Sequence, residues 1–445
     1  MSKTIQQTSL DFQLEETSET LTSKSGLAII QETALSLGVV ADIRSLLPLP
    51  GSNRGFKPDE YVMPITLMLC GGGRSLEDLR EIREDQGLRK LCALERVPSS
   101  DATGTWLRQP GLCRRLKLVN RKLTKQLIRQ SKTEGLTLDI DATYIETGKE
   151  SAKINYEGEK SFSVLLGFIA ELDLCVASRY RNGNISPVEG IKEELADAIK
   201  LAREAGKRIT YFRSDSAAYT ADIINCCQDA KVTFAITADQ NCAVKELIDA
   251  IPEDQWRRLY DEREGKLHYT GRHYATTIHS MNETKAFTLI VQRWPNPKPD
   301  LFQNSAPYCY HVIATDDPRA AGFRTVPEVI WHHNQRSNAE NYNKEIKAGF
   351  GMEYAPSRLL RADAAYFEIG VLAYNLTIAV KRLLLDESWF RKTITTLRWQ
   401  MIFVAGKVIE HGRRLILRVA RQYLDLLQGM RERLCTARLE AGATQ

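Results

Sequence analysis

Residues 136–146 read LTLDIDATYIE, and this stretch decides the fold. Apolar and polar residues alternate and β-branched side chains abound, which predicts a strand. Behind it, FSVLLGFIAELDLCVASRYRNG (162–183) predicts a hairpin turning near Glu171–Asp173. SPVEG (186–190) then predicts a helix start, with Ser186 as N-cap, Pro187 at the first helical position and Glu189 closing a capping box. Val188, Ile191, Leu195, Ile199 and Ala202 form the buried stripe of that helix and Gly206 ends it. RITYFRSD (208–215) reads as a strand, 216–229 as a helix, and VTFAITA (232–238) as another strand.

Three antiparallel strands followed by helix–strand–helix–strand is the order of an α/β ribonuclease H-like (retroviral-integrase-like) core, although other α/β folds share it. Working outward, residues 1–25 read as a polar tail and 26–134 as a helical domain. In the latter, Leu112, Leu116, Val119, Leu123 and Leu127 form a helical stripe with basic residues between. SSDATGTWLR offers Ser and Asp caps before it, and YVMPITLMLC (61–70) reads as a core helix ended by Gly71–Gly73. The core runs over 135–239 and resumes at 326–386, where 326–348 and 356–385 read as helices. Between them, 240–325 reads as a β-rich insertion. It holds a second hairpin of HYATTIHS and AFTLIVQRW around MNETK, a proline-rich loop (294–307) and the strand YCYHVIAT. Residues 387–445 form a basic C-terminal region.

The 445 residues are 43% hydrophobic and 26% charged, which excludes wholesale disorder. Nine scattered cysteines without a CxxC pair speak against a zinc site or a disulfide framework and for a reducing cytoplasm. No signal peptide and no membrane span are expected. The net charge of +5 is modest, but its distribution is uneven. Nine basic residues and no acid lie in 102–133, among them Arg114, Arg115, Arg121 and Lys122. Eleven basic and four acidic residues lie in 391–445, so the remainder of the chain is acidic. Cationic segments of this kind suit phosphate neutralisation.

Three carboxylates stand out by position. Asp141 ends the first strand, Asp215 ends the strand after the helix, and Glu340 lies on the helix after the insertion. Neighbouring strand ends and a helix packed across them would gather these acids. Carboxylate clusters suit Mg²⁺ or Mn²⁺, hard ions that prefer oxygen. Asp139, on the same strand face as Asp141, is an alternative ligand or a supporting residue. Asp215 could instead cap the next helix. At 100° per residue, Arg336, Glu340 and Lys347 fall within about 40° of one another, with Lys344 beside them. No GxxxxGK[ST] motif is present, so ATP use is unsupported.

LDIDAT, RSDSAAY and RSNAENYNKEIK resemble the DDE transposases of bacterial insertion sequences, in the IS-four-like superfamily and nearest its thirteen-eighty group. The resemblance runs through nearly the whole chain. Arg336, Glu340 and Lys347 match the superfamily signature Y-x2-R-x3-E-x6-K, while His333 replaces its tyrosine. The resemblance implies that Asp141, Asp215 and Glu340 hold two Mg²⁺ ions for cleavage and joining of insertion-sequence ends. It implies DNA contacts from Arg336, Lys344, Lys347 and His333 on the signature helix and from Arg114, Arg115, Arg121 and Lys122 in the helical domain 26–134, which would bind DNA, with double-stranded DNA (terminal inverted repeats and target) as partner and a homodimer on DNA in the bacterial cytoplasm. In relatives an aromatic of the β insertion can stack on a flipped base, a role for which Trp256 and Trp294 are candidates beside core packing. A nuclease without strand transfer, and a non-catalytic regulator on the same scaffold, are the rival readings.

Overall fold

The computed structural model describes residues 12, 14–263, 265–297, 307–322, 325–412 and 414–442. Most of the proline-rich loop of the insertion therefore lies outside the described residues. The first strand, β1 (Leu21–Thr22), belongs to the segment expected to be a polar tail. It pairs instead with a strand near the other end of the chain, β12 (Gly406–His411), which pairs in turn with β13 (Arg414–Val419). Ser25 reinforces this closure, its amide and hydroxyl both donating to the carbonyl of Val404.

Seven helices follow β1, from Leu27–Ser36 to Leu112–Gln130. Ser99 caps the Ser100–Leu107 helix by accepting the amide of Ala102. In Leu112–Gln130 the five expected apolar positions are all buried, and basic residues fill the opposite face.

The large sheet begins with β2 (Gly135–Glu146), then β3 (Lys153–Ile154), β4 (Lys160–Ile169) and β5 (Leu174–Asn182). β6 (Arg208–Ser214) and β7 (Thr233–Thr237) complete its first half. The order is β5-β4-β2-β6-β7, with β2, β6 and β7 parallel and β4 antiparallel to β2, to β5 and to the short β3. The segment 240–325 does not form a separate sheet. Its strands β8 (Arg257–Arg263), β9 (Lys266–His279), β10 (Phe287–Pro295) and β11 (Tyr308–Thr315) continue the same one, because β11 pairs antiparallel with β7.

One expected helix start is displaced. The helix after β5 runs Ile191–Glu204, and Gly190 at φ +92° precedes it. Ser186–Glu189 form turns whose carbonyls at Ser186 and Glu189 accept from the Arg181 guanidinium. Only glycine adopts this φ without strain, so the boundary falls there and not at the Ser-Pro pair. The long helix Leu360–Leu384 is buried on nearly every side and packs against Leu112–Gln130, β5 and Pro58–Cys70. A helix so uniformly apolar belongs in a core, and here it joins the N-terminal helices to the sheet.

Candidate active site

β2 and β6 run side by side, with Ile140 opposite Ser214. Asp141 and Asp215 are the next residues on each. Asp215 follows the last residue of β6, but Asp141 does not end its strand as expected: β2 runs on to Glu146 because β4 continues to pair with it, and only the pairing with β6 stops before Asp141. Ser214 fixes the register by donating its hydroxyl to the carbonyl of Ile140. Asp215 also accepts the amide of Ala217 and so caps the short turn of helix at 216–218. Burial, and next the charge of Asp215, push the Asp141 carboxyl up to about 6. The Arg336 guanidinium opposes that rise and Glu340 adds to it.

Glu340 is exposed, on a helix Asn338–Lys344 that a 3₁₀ turn precedes and a π turn follows. The expected continuous helix over 326–348 is thus three consecutive helical pieces after Val326–Asn334. The stripe survives this interruption. Arg336 lies 3.9 Å from Asp141 Oδ1, and Lys347 donates to the carbonyl of Tyr144 at 2.6 Å and to Thr143 Oγ1 at 3.3 Å. Both signature cations therefore face β2, and Lys344 is exposed.

Asn343 is a residue that the sequence reading missed. Its Nδ2 donates to Asp141 Oδ2 at 3.0 Å. Seven positions beyond Arg336, it falls within about 20° of the same stripe, so the helical arithmetic could have found it. Arg213 was missed as well. It grips Asp139 through Nε at 2.6 Å and a terminal nitrogen at 2.7 Å, and donates its other terminal nitrogen to the carbonyl of His332 at 2.7 Å. Asp139 is fully buried, both oxygens engaged by this fork.

His333 corrects an expectation. A DNA contact was expected of it, but the ring is 3% exposed, bonded to Thr237 Oγ1 at 3.1 Å and stacked near His311. A side chain enclosed in this way packs the helix onto β7 and does not present itself to DNA. Burial pushes its pKa down to about 3, so it is neutral. In the basic helix, Arg115 donates to the carbonyl of Leu46, Arg121 pairs with Glu204 and Lys122 with Asp42. Arg114 is exposed and pairs with no described residue. Of the two tryptophans, Trp256 is 9% exposed under Arg293, while the Trp294 ring carries Arg272 at 4.4 Å.

The match to a known family covers residues 6–437, under the description Transposase DDE domain group 1. The chain belongs to that family. It is a DNA transposase in that sense, and the family implies divalent cations. Among solved structures, it is similar to the piggyBac transposase synaptic complex with hairpin DNA. The TM-score is 0.45 and the identity 12%, over 94% of this chain and 84% of that one, a likeness too slight to argue from. No curated protein matches. No helix among the described residues is long and apolar enough to cross a membrane.

Whether the transposase site fits a divalent cation turns on its oxygen donors. Among the described residues no three His, Cys, Asp or Glu side chains stand close enough to enclose an ion. Two features nevertheless suit one. Asp141 and Asp215 repel each other on adjacent strands, a repulsion that a cation relieves. Asn343 Oδ1 is buried beside them without a partner. The two aspartates fit, and Glu340 stands apart in this conformation.

Proposed function

We propose that this chain is the transposase of a bacterial insertion sequence, in the IS-four-like superfamily and nearest its thirteen-eighty group. It cuts its own element out and joins it to target DNA in the cytoplasm, acting as a homodimer on the two inverted-repeat ends. One observation carries the reading: Asp141 and Asp215 directly follow the last paired residues of the neighbouring parallel strands β2 and β6, and the charge of Asp215 raises the pKa of Asp141. The order β5-β4-β2-β6-β7 supports a ribonuclease H-like core.

In this reading Asp141, Asp215 and Glu340 are the ligands of two Mg²⁺ ions, for which Mn²⁺ can substitute. Such ions, when bound, activate a water and stabilise the leaving oxygen at a phosphodiester. Asp141 is preferred to Asp139 because Arg213 already engages both oxygens of Asp139. Asn343 holds one oxygen of Asp141 and Arg336 stands beside the other, which orients the carboxylate. Arg336, Lys344 and Lys347 line the helix face from which backbone phosphates are gripped. Lys347 must leave the Tyr144 carbonyl to do so. Exposed cations such as Arg114, and the basic C-terminal region, hold the flanking duplex.

The test is a strand-cleavage and strand-transfer assay with Mg²⁺, on DNA carrying the inverted repeats that border the gene. The wild-type chain yields nicked and joined products. Asp141→Asn, Asp215→Asn and Glu340→Gln yield neither. Full cleavage by these variants overturns the site, and cleavage without joining reduces the enzyme to a nuclease.

A further inference from the structure

The cationic surface beside β2 does not stop with the signature helix. Lys347 reaches Thr143, which lies two residues beyond Asp141 on the same face of the strand. The π turn Glu345–Gly349 that carries Lys347 leads into a loop, residues 350–359, whose Glu353 amide donates back to the Lys347 carbonyl at 3.3 Å. This loop is held at two points. Lys149, three residues past the end of β2, donates to the carbonyl of Ser357 at 2.8 Å and lies 5.5 Å from the centre of the Tyr354 ring. Gly351, at φ +69°, comes so close to Arg74 that a Cβ there would stand 3.0 Å from Arg74 Cγ. The loop then enters the helix Leu360–Leu384, where Arg361 donates through Nε to the carbonyl of Arg108 at 3.0 Å.

Four separate stretches of chain thus bring Arg74, Arg108, Lys149, Arg358 and Arg361 together, and all but the half-buried Lys149 are exposed. On the basic helix Arg121 and Lys122 meet acids of the fold, but none of these five forms an ion pair among the described residues. Asp363, whose charge acts on Lys149, is 1% exposed and accepts the amide of Ser357. The charge of Arg358 acts on the same lysine in the opposite sense. Cations gathered without an acid repel one another, and a polyanion laid across them relieves that repulsion. We infer that these five cations form a track for the backbone phosphates of a DNA duplex, continuing from Lys347 toward the N-terminal helices. This rests on the DNA-processing reading and adds to it the course of the duplex beyond the signature helix. A track of this kind contacts phosphate alone, so it holds and orients the duplex without reading its sequence.

The affinity of the full chain for a duplex carrying the inverted repeat that borders the gene is measured by fluorescence anisotropy across a series of salt concentrations. In the double variant Arg358→Gln, Arg361→Gln the slope of log affinity against log salt should be shallower by about 1.8, from about 0.9 for each phosphate contact. Affinity at about 0.1 M salt should fall roughly tenfold or more. Arg358→Lys with Arg361→Lys keeps both charges and should keep the wild-type slope. Lys200→Gln with Arg203→Gln, which removes two exposed cations of the helix Ile191–Glu204, should keep it as well. A wild-type slope in the glutamine pair overturns the track while leaving the DNA reading intact. So does an equally shallow slope in the lysine pair or in the Lys200 and Arg203 pair. A wild-type chain that binds no duplex overturns both.

Discussion

The edge where β6 leaves β2 in the central sheet and the face of the helix Leu112–Gln130 are both densely charged, and they treat their charges in opposite ways. On the helix, five of the nine basic residues of 102–133 are engaged within the protein. Arg121 and Lys125 meet Glu204, Lys122 meets Asp42, Lys117 meets Glu368, and Arg115 meets a carbonyl. On the sheet, Asp141 and Asp215 repel each other, with a single guanidinium, that of Arg336, 3.9 Å from one of them. The run of cations binds the N-terminal helices to the sheet, while the small acidic pair is left short of positive charge. A functional electrostatic site is therefore marked by charge left uncompensated, and the length of a charged run says little about it.

Asp139 and Asp141 draw the same contrast within one strand. Asp141→Asn should remove cleavage by roughly a thousandfold or more, measured as single-turnover nicking, while leaving the fold at least as stable. Asp139→Asn should do the reverse in kind. It leaves the buried Arg213 with half its partner gone, and breaking such a pair destabilises a protein by about 3–5 kcal/mol. Urea unfolding of the two variants checks this. Equal destabilisation by both would erase the distinction between a structural and a catalytic aspartate.

Much of this was legible in the sequence. Alternation in LTLDIDATYIE and RITYFRSD foretold β2 and β6, and Asp215 follows the end of β6 as read, whereas Asp141 lies within β2, which β4 carries on to Glu146. What could not be read was pairing. Nothing local in YCYHVIAT says that it joins β7 and makes the insertion a continuation of the sheet, since that partnership, Ala314 with Ile236, spans nearly eighty residues. Nor does Leu21–Thr22 announce a partner at Gly406. The helix at 191 began four residues late because Gly190 at positive φ outweighed the Ser-Pro-x-Glu signal. His333 matched a motif position by spacing, yet spacing does not tell a helix face that meets solvent from one that meets β7. The partners of Arg121 and Lys122 are likewise remote in sequence, which is why the basic helix looked more available than it is.

Glu368 extends the comparison to a carboxylate with no catalytic duty. It lies in the long buried helix beside Ser178 and Asn120, with Lys117 3.9 Å away, and burial pushes it up to about 7. A folded-state pKa above the unfolded one means that the folded chain binds the extra proton. The stability that this supplies is fully present below about pH 4.5 and is lost as pH rises through about 7. Glu368→Gln removes the titration, so it should flatten urea midpoints between pH 5 and 8. At pH 8 it should raise stability by at most on the order of 3 kcal/mol. A pH dependence unchanged in the variant would mean that Lys117 keeps the carboxylate charged throughout.

The smallest effects are expected on the basic helix, and they sharpen the opening contrast most directly. If compensation decides availability, Arg114→Gln and Arg129→Gln, whose cations are exposed and pair with no described residue, should each lower the slope of log affinity against log salt. Each phosphate that is no longer neutralised should change that slope by about 0.9. Arg121→Gln and Lys122→Gln should leave the slope nearly unchanged and weaken the fold by about 1 kcal/mol or less, since each removes a partly exposed ion pair. Equal slope changes across all four would show that DNA outcompetes Glu204 and Asp42 for these cations. The helix would then act as a reserve of positive charge, released from internal pairs only when the duplex arrives.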